Sequence, residues 1–128
     1  MNYYFNTIVT GNFEEIVKKT TEVLKKEGFG VLTDIDVKAT LKKKLDVDFK
    51  KYRILGACNP PFAFKALQAE DKIGTMLPCN VIVQEIAEGK IEVAAIDPIA
   101  SMQAIQNSDL HEVADQVQKK LKKVIDSL

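Results

Sequence analysis

Apolar positions between residues 13 and 24 recur every three or four places: Phe13, Ile16, Val17, Val23 and Leu24, with Thr20 in step. This is the spacing of one buried helix face. Asn12 stands ahead of the run with Glu15 three residues on, the form of a capping box. Lys25, Lys26 and Gly28 then supply a cationic last turn and a left-handed stop. On the near side of this helix, "NYYFNTIVT" (2–10) is aromatic and β-branched and predicts a strand. On the far side, "FGVLTDID" (29–36) predicts a half-buried strand with Phe29, Val31 and Ile35 on one face.

The pattern continues with a shorter helix over residues 37–45. Asp36 caps it, Val37, Leu41 and Leu45 face inward, and Lys38, Lys42, Lys43 and Lys44 face water. "KYRILGAC" (51–58) predicts a third strand. Asn59 is then expected to cap a helix with Pro60 at its first position, where a missing N–H costs nothing. Phe62, Ala63, Ala66 and Leu67 are expected to form that helix's buried stripe. "CNVIVQEIAEGKIEVAAID" has the form of a hairpin turning at Glu88-Gly89-Lys90. Asp97-Pro98 ends it and opens a helical turn to Met102. A last helix starts near Ser108 with Leu110, Val113, Ala114, Val117, Leu121, Val124, Ile125 and Leu128 along one stripe.

A hairpin is antiparallel by construction, and each helix has one apolar face. The fold class that follows is α+β: a mixed or antiparallel sheet of about five strands with helices packed mainly on one face. One hairpin face is uniformly apolar (Val81, Val83, Ile91, Val93, Ala95). The other mixes Asn80, Ile82, Gln84 and Ile86 with Glu92, Ala94 and Ile96, too greasy for full exposure. A second copy covering it, hence a homodimer, is the expectation.

Composition narrows the class without changing it. The 128 residues fit one domain, expected to span 1–128, and no linker or long repeat divides them. Eighteen basic residues balance eighteen acidic ones, so no global field favours nucleic acid or anionic lipid. Locally the balance is uneven: net +3 over residues 1–53, −6 over 54–118 and +3 over 119–128. Solvated faces explain this, and so does pairing within or between chains. No stretch reaches the ~18 apolar residues of a membrane span. The N-terminus lacks the basic region and cleavage site of a signal peptide. With only two cysteines there is no disulfide framework, and a reducing cytoplasm is the expected location. "KKKLDVDFKKYR" (42–53) is basic, but Asp46 and Asp48 interrupt it and three of its lysines fit the outer face of a short helix, so no nucleic-acid partner is expected. No serine elbow, HExxH motif, phosphate-cradling glycine loop or second histidine is present, and no catalytic constellation stands out.

What chemistry there is gathers at two repeated steps, Cys58-Asn59 and Cys79-Asn80. Cys58 precedes a helix N-terminus, whose positive end would ease its ionisation. Cys79 follows Pro78 and opens the hairpin. If both segments meet at one end of adjacent strands, the thiols come within redox or metal-ligand reach. The plainer account makes them small buried hydrophobes at strand ends, with asparagines tying down the corners. A zinc site would need His111, the single histidine, beside Cys58 and Cys79, with Asp97 or water as a fourth ligand, and the spacing matches no known ligand pattern. Asn59 and Asn80 can also present donors to a small anion or small molecule at the helix N-terminus.

Three segments carry a resemblance to a known family. "YRILGACNPPFAFKAL", then "GTMLPCNVIVQE", then "IEVAAIDP" with Met102 behind, resemble the domain-of-unknown-function 302 family along essentially the whole chain. The resemblance implies a compact α+β domain that pairs as a dimer, with no agreed activity. The expectation is therefore a cytoplasmic, homodimeric small-ligand-binding module, its site at Cys58, Asn59, Pro60, Pro78, Cys79 and Asn80. The alternative is a thiol-dependent redox or metal-binding protein using Cys58 and Cys79.

Overall fold

The structure is a computed structural model that describes residues 2–128. Its strands are β1 (Tyr4–Thr10), β2 (Gly30–Asp36), β3 (Tyr52–Cys58), β4 (Cys79–Ala87) and β5 (Lys90–Ile96). The helices are α1 (Phe13–Lys26), α2 (Val37–Leu45), α3 (Pro60–Ala69), α4 (Pro98–Ser101) and α5 (Ser108–Asp126), with a 3-10 helix at Asp71–Met76. The five strands form one sheet in the order β1-β5-β4-β3-β2, and every neighbouring pair is antiparallel. Because β1 and β2 occupy opposite edges, α1 must cross the whole sheet between them. The α+β architecture is the one the apolar pattern predicts.

The core lies on one face, beneath α1 and α5. Leu55, Val81, Val83, Ile91 and Val93 from the sheet meet Phe13, Val17 and Leu24 of α1 and Leu121, Val124 and Ile125 of α5, all buried. Asn12 caps α1 through Oδ1, which accepts the Glu15 N–H at 3.1 Å. Gly28 takes the left-handed conformation, at φ 87°, that ends this helix. Behind the main core, Ala66, Ile73, Met102, Leu110 and Ala114 form a second, smaller cluster.

Three local expectations change. β2 carries a bulge at Leu32, because Val31 pairs with Ala57 while Thr33 pairs with Gly56. The extra residue puts Ile35 opposite Ile54, on the other face from Val31, so the alternation does not run through the strand. α2 has the predicted bounds and cap (the Ala39 N–H donates to Asp36 Oδ1 at 2.9 Å) but buries no residue, and Leu45 is 66% exposed. It stands beside an edge strand that gives it little to pack against. Finally, of the expected stripe on α3 only Ala66 is buried: Phe62 and Ala63 are half-buried and Leu67 is exposed.

Candidate functional site: an apolar cavity at the two cysteine corners

The β3–β4 ladder decides where the two Cys-Asn steps lie. Ala57 pairs with Cys79 and Gly56 with Asn80, so both corners sit at the same end of adjacent strands. The approach is close enough to require glycine at 56. A methyl group there would collide with Thr33 Oγ1 from β2 and lie 2.8 Å from Pro78 Cγ. Pro78 itself follows a cis peptide from Leu77.

A cavity of about 320 Å³ opens beside these corners. It is the gap between the two hydrophobic clusters. Phe29, Ala57, Cys79 and Val117 of the main core form one wall, and Ala66, Met102, Leu110 and Ala114 of the smaller cluster the other. This explains α3: Phe62, Ala63, Ala66 and Leu67 point at a space, not at filled core. Protein interiors seldom leave voids much larger than a water molecule, which makes a concavity of this size the candidate site. The walls carry no charged side chain.

The six expected site residues divide. Cys58, Asn59, Pro78 and Cys79 line the cavity. Pro60 occupies the first turn of α3 as predicted but is exposed and stands outside the wall. Asn80 is on the opposite face of the sheet, one residue past Cys79, as strand alternation requires. The buried Asn59 occupies the cap position of α3 without making the cap bond. Its Nδ2 instead donates to the Glu27 carbonyl at 3.2 Å, closing the C-terminal end of α1. Asn59 thus braces α3 against α1 as well as lining the cavity.

A second strut, Asn107, did not stand out by pattern. Its Nδ2 donates to the Ala69 carbonyl at 2.7 Å, and its Oδ1 accepts the Leu110 N–H at 3.1 Å. It thereby caps α5 and holds the far end of α3 in one stroke. The signal was an asparagine immediately before the start of the apolar stripe, the usual place of an N-cap. Asparagines thus suspend both ends of α3 over the cavity.

The thiols differ in setting. Cys79 is buried, and burial first, with the neighbouring Cys58 second, pushes its thiol up to about 11. Cys58 is half-buried at the rim, and both cysteines are free. His111 is exposed on α5 and does not line the cavity. Asp97 is committed elsewhere: its Oδ1 accepts the Ile99 N–H at 3.0 Å and Gln118 Nε2 at 3.1 Å. Among the described residues no three of His, Cys, Asp and Glu come together as a metal-holding group. No helix among them is long and apolar enough to cross a membrane.

The family model described as domain of unknown function DUF302 matches residues 5–128 of this chain. The chain belongs to the DUF302 family. A crystal structure of an uncharacterised conserved DUF302 protein from Bacillus stearothermophilus superposes with a TM-score of 0.88 at 29% identity, covering 97% of this chain and 96% of that one. No curated protein matches. The Gly-Ala-Cys-Asn-Pro and Leu-Pro-Cys-Asn segments of this DUF302 chain are the two corners of the cavity described above.

Proposed function

We propose that this DUF302 domain is a homodimeric binding module that holds a small, neutral, apolar molecule between α3, α5 and the cysteine-bearing strand ends. The observation that carries this is the cavity: about 320 Å³, walled by apolar side chains and two thiols, between two otherwise well-packed clusters. The lining favours a neutral ligand over an anion. No cation reaches the wall to offset an anion's charge, and one of the two Asn59 Nδ2 hydrogens is already given to the Glu27 carbonyl. Titration with the neutral fluorophore N-phenyl-1-naphthylamine tests this. Saturable enhancement at one site per chain, abolished by Ala63→Phe in a protein that still folds, supports the reading. Equal enhancement in that variant removes it.

Pairing rests on a different surface. Of the second hairpin face, Ala94 is buried, Ile82 and Ile96 are half-buried, and Ile86 is exposed. More apolar surface stands open along β2, α2 and the loop after it: Leu32, Ile35, Leu45, Val47 and Phe49. An edge strand flanked by such residues invites a second copy. The lysines of α2 beside it complement the acidic middle of the chain. A monomer mass by light scattering at micromolar concentration would remove the dimer.

The thiol-dependent reading draws on one observation, that Cys58 and Cys79 share the cavity. Within it Cys58 would be the attacking or metal-bound sulfur, because Cys79 is held in its neutral form. If Cys58 in the native chain reacts with iodoacetamide no faster than in the denatured chain at neutral pH, that reading ends.

A further inference from the structure

The sheet face turned away from α1 and α5 carries a second concavity, of about 390 Å³. Its floor is low because Ala94 sits mid-sheet between larger neighbours, in one row with Ile82 and Asn6. Around it stand Tyr3, Tyr4 and Tyr52, which are all three tyrosines of the chain. Gln84 and Glu92 face each other across β4 and β5 on its rim.

Polar groups in this groove are out of balance. Glu92 accepts from Gln84 Nε2 at 2.7 Å through Oε1 and from Asn6 Nδ2 at 2.8 Å through Oε2. Gln84 Oε1 is buried and meets no donor among the described residues. Turning the Gln84 amide over does not help, since its oxygen would then oppose a carboxylate. None of the ion pairs among the described residues includes Glu92. The groove therefore offers a carboxylate without a counter-cation and aromatic rings beside it, above a buried carbonyl oxygen that lacks a donor.

We infer that this groove binds the protonated amino group of a small organic amine. An ammonium head answers the groove's charge and its rings at once: its charge offsets Glu92, the tyrosine rings attract a cation, and the buried Gln84 Oε1 gains an N–H once the amide turns toward the ligand. An anion would be repelled by Glu92, and an alcohol would leave its charge unanswered. Two further features agree. Tyr52 has its phenol raised, by burial first and then by Glu92 and Tyr3, which places all three groups in one electrostatic neighbourhood. Lys50 Nζ already lies 5.9 Å from the Tyr52 ring centre, so that ring accepts a cation, although Lys50 is not part of the groove's wall.

The chain has no tryptophan, so its tyrosine fluorescence reports on this groove alone. The full chain is titrated with butylammonium, tetramethylammonium and 1-butanol at constant ionic strength, in parallel with calorimetry. Butylammonium is expected to bind, tetramethylammonium about tenfold more weakly for want of an N–H, and butanol not measurably. Glu92→Gln is expected to weaken butylammonium at least about tenfold, and Lys50→Gln to leave it unchanged or tighter. Bound amine should also lower the pH at which Tyr52 ionises. An equal response to butanol, or unaltered affinity in Glu92→Gln, overturns the inference. Should Glu92→Gln fail to fold, Tyr3→Ala takes its place: Tyr3 is exposed, so the fold survives, and unchanged butylammonium affinity there is equally fatal.

Discussion

Asn59 and Glu27 stand 32 positions apart in the chain, yet the side-chain amide of the first donates to the backbone carbonyl of the second at 3.2 Å. This bond joins the start of α3 to the end of α1, and so sets the position of the helix that roofs the cavity. Asn59→Ala should destabilise the fold by about 1 kcal/mol, the cost of a part-buried carbonyl left without this donor plus a lost contact. Asn59→Asp should cost more, because a carboxylate would then face that carbonyl. Urea denaturation of the three proteins checks the order.

Gly28 is the partner constraint. A Cβ there would lie 3.0 Å from Asn59 Nδ2, at a backbone φ of +87° that other residues rarely adopt. Gly28→Ala should lower stability by about 1–2 kcal/mol through the left-handed backbone alone. Combining it with Asn59→Ala should cost less than the sum of the two, since the crowded amide is gone. A double-mutant cycle reads that coupling.

Arg53 holds Asp34 with two bonds, Nε to Oδ1 at 2.8 Å and Nη2 to Oδ2 at 2.7 Å, and reaches Glu14 of α1 with Nη1 at 3.1 Å. The hydrogen bonds from Arg53 lower the Asp34 carboxyl below its ordinary range, against a smaller opposing effect of burial. A carboxyl depressed in the folded chain stabilises it above the unfolded value, near pH 4, and loses that contribution as pH falls through the folded value. Asp34→Asn should therefore flatten the acid limb of a stability-against-pH profile. Its cost at neutral pH should be about 0.5–1 kcal/mol and shrink in high salt, since both partners remain partly in water.

Cys79 predicts an alkaline limb. Its thiol is raised to about 11 in the fold, against about 8.5 in the unfolded chain. The stabilisation of the neutral thiol is complete below about pH 8.5 and is lost as pH rises toward 11, because the unfolded chain gives up its proton first. Cys79→Ala should remove that slope at the expense of about 1 kcal/mol of packing. In the native protein Cys79 should resist iodoacetamide at neutral pH and react once the chain is unfolded, as counted by mass spectrometry.

Gly56 lies where β2, β3 and the Pro78 corner converge. Gly56→Ala should be among the more damaging single changes, by about 2–3 kcal/mol, as overpacking between strands. Thr33→Ala on the same chain should recover part of this, since it removes the atom that a new methyl would strike, while Pro78 Cγ stays 2.8 Å away. Thermal melts of the single and double variants decide it.

The elements themselves were written in local chemistry. Asn12 with Glu15, Asp36 before α2, Pro60 at the start of α3 and Glu88-Gly89 between the hairpin strands each act over a few residues, and each stands where its pattern placed it. The stripe of α5 is legible for the same reason: helical spacing alone puts Leu110, Leu121 and Val124 on one side. That Cys58 closes one strand and Cys79 opens another also followed from motif positions, but that the two strands are neighbours and bring the corners together did not.

Pairing over distance decided the rest. A single bulge at Leu32 reversed the face of Ile35, and no period of two can announce where a residue is left over. Asn59 reads as a cap by its position and becomes a strut because Glu27 happens to end another helix within its reach. The tyrosines at 3, 4 and 52 share a groove only because β1, β5, β4 and β3 line up in that order. Local sequence determines which stretches are helix, strand or turn, since propensity and capping act within a turn or two. Which apolar faces fill, and which leave a cavity, depends on volumes contributed by segments far apart in the chain, and only the packed fold adds those up.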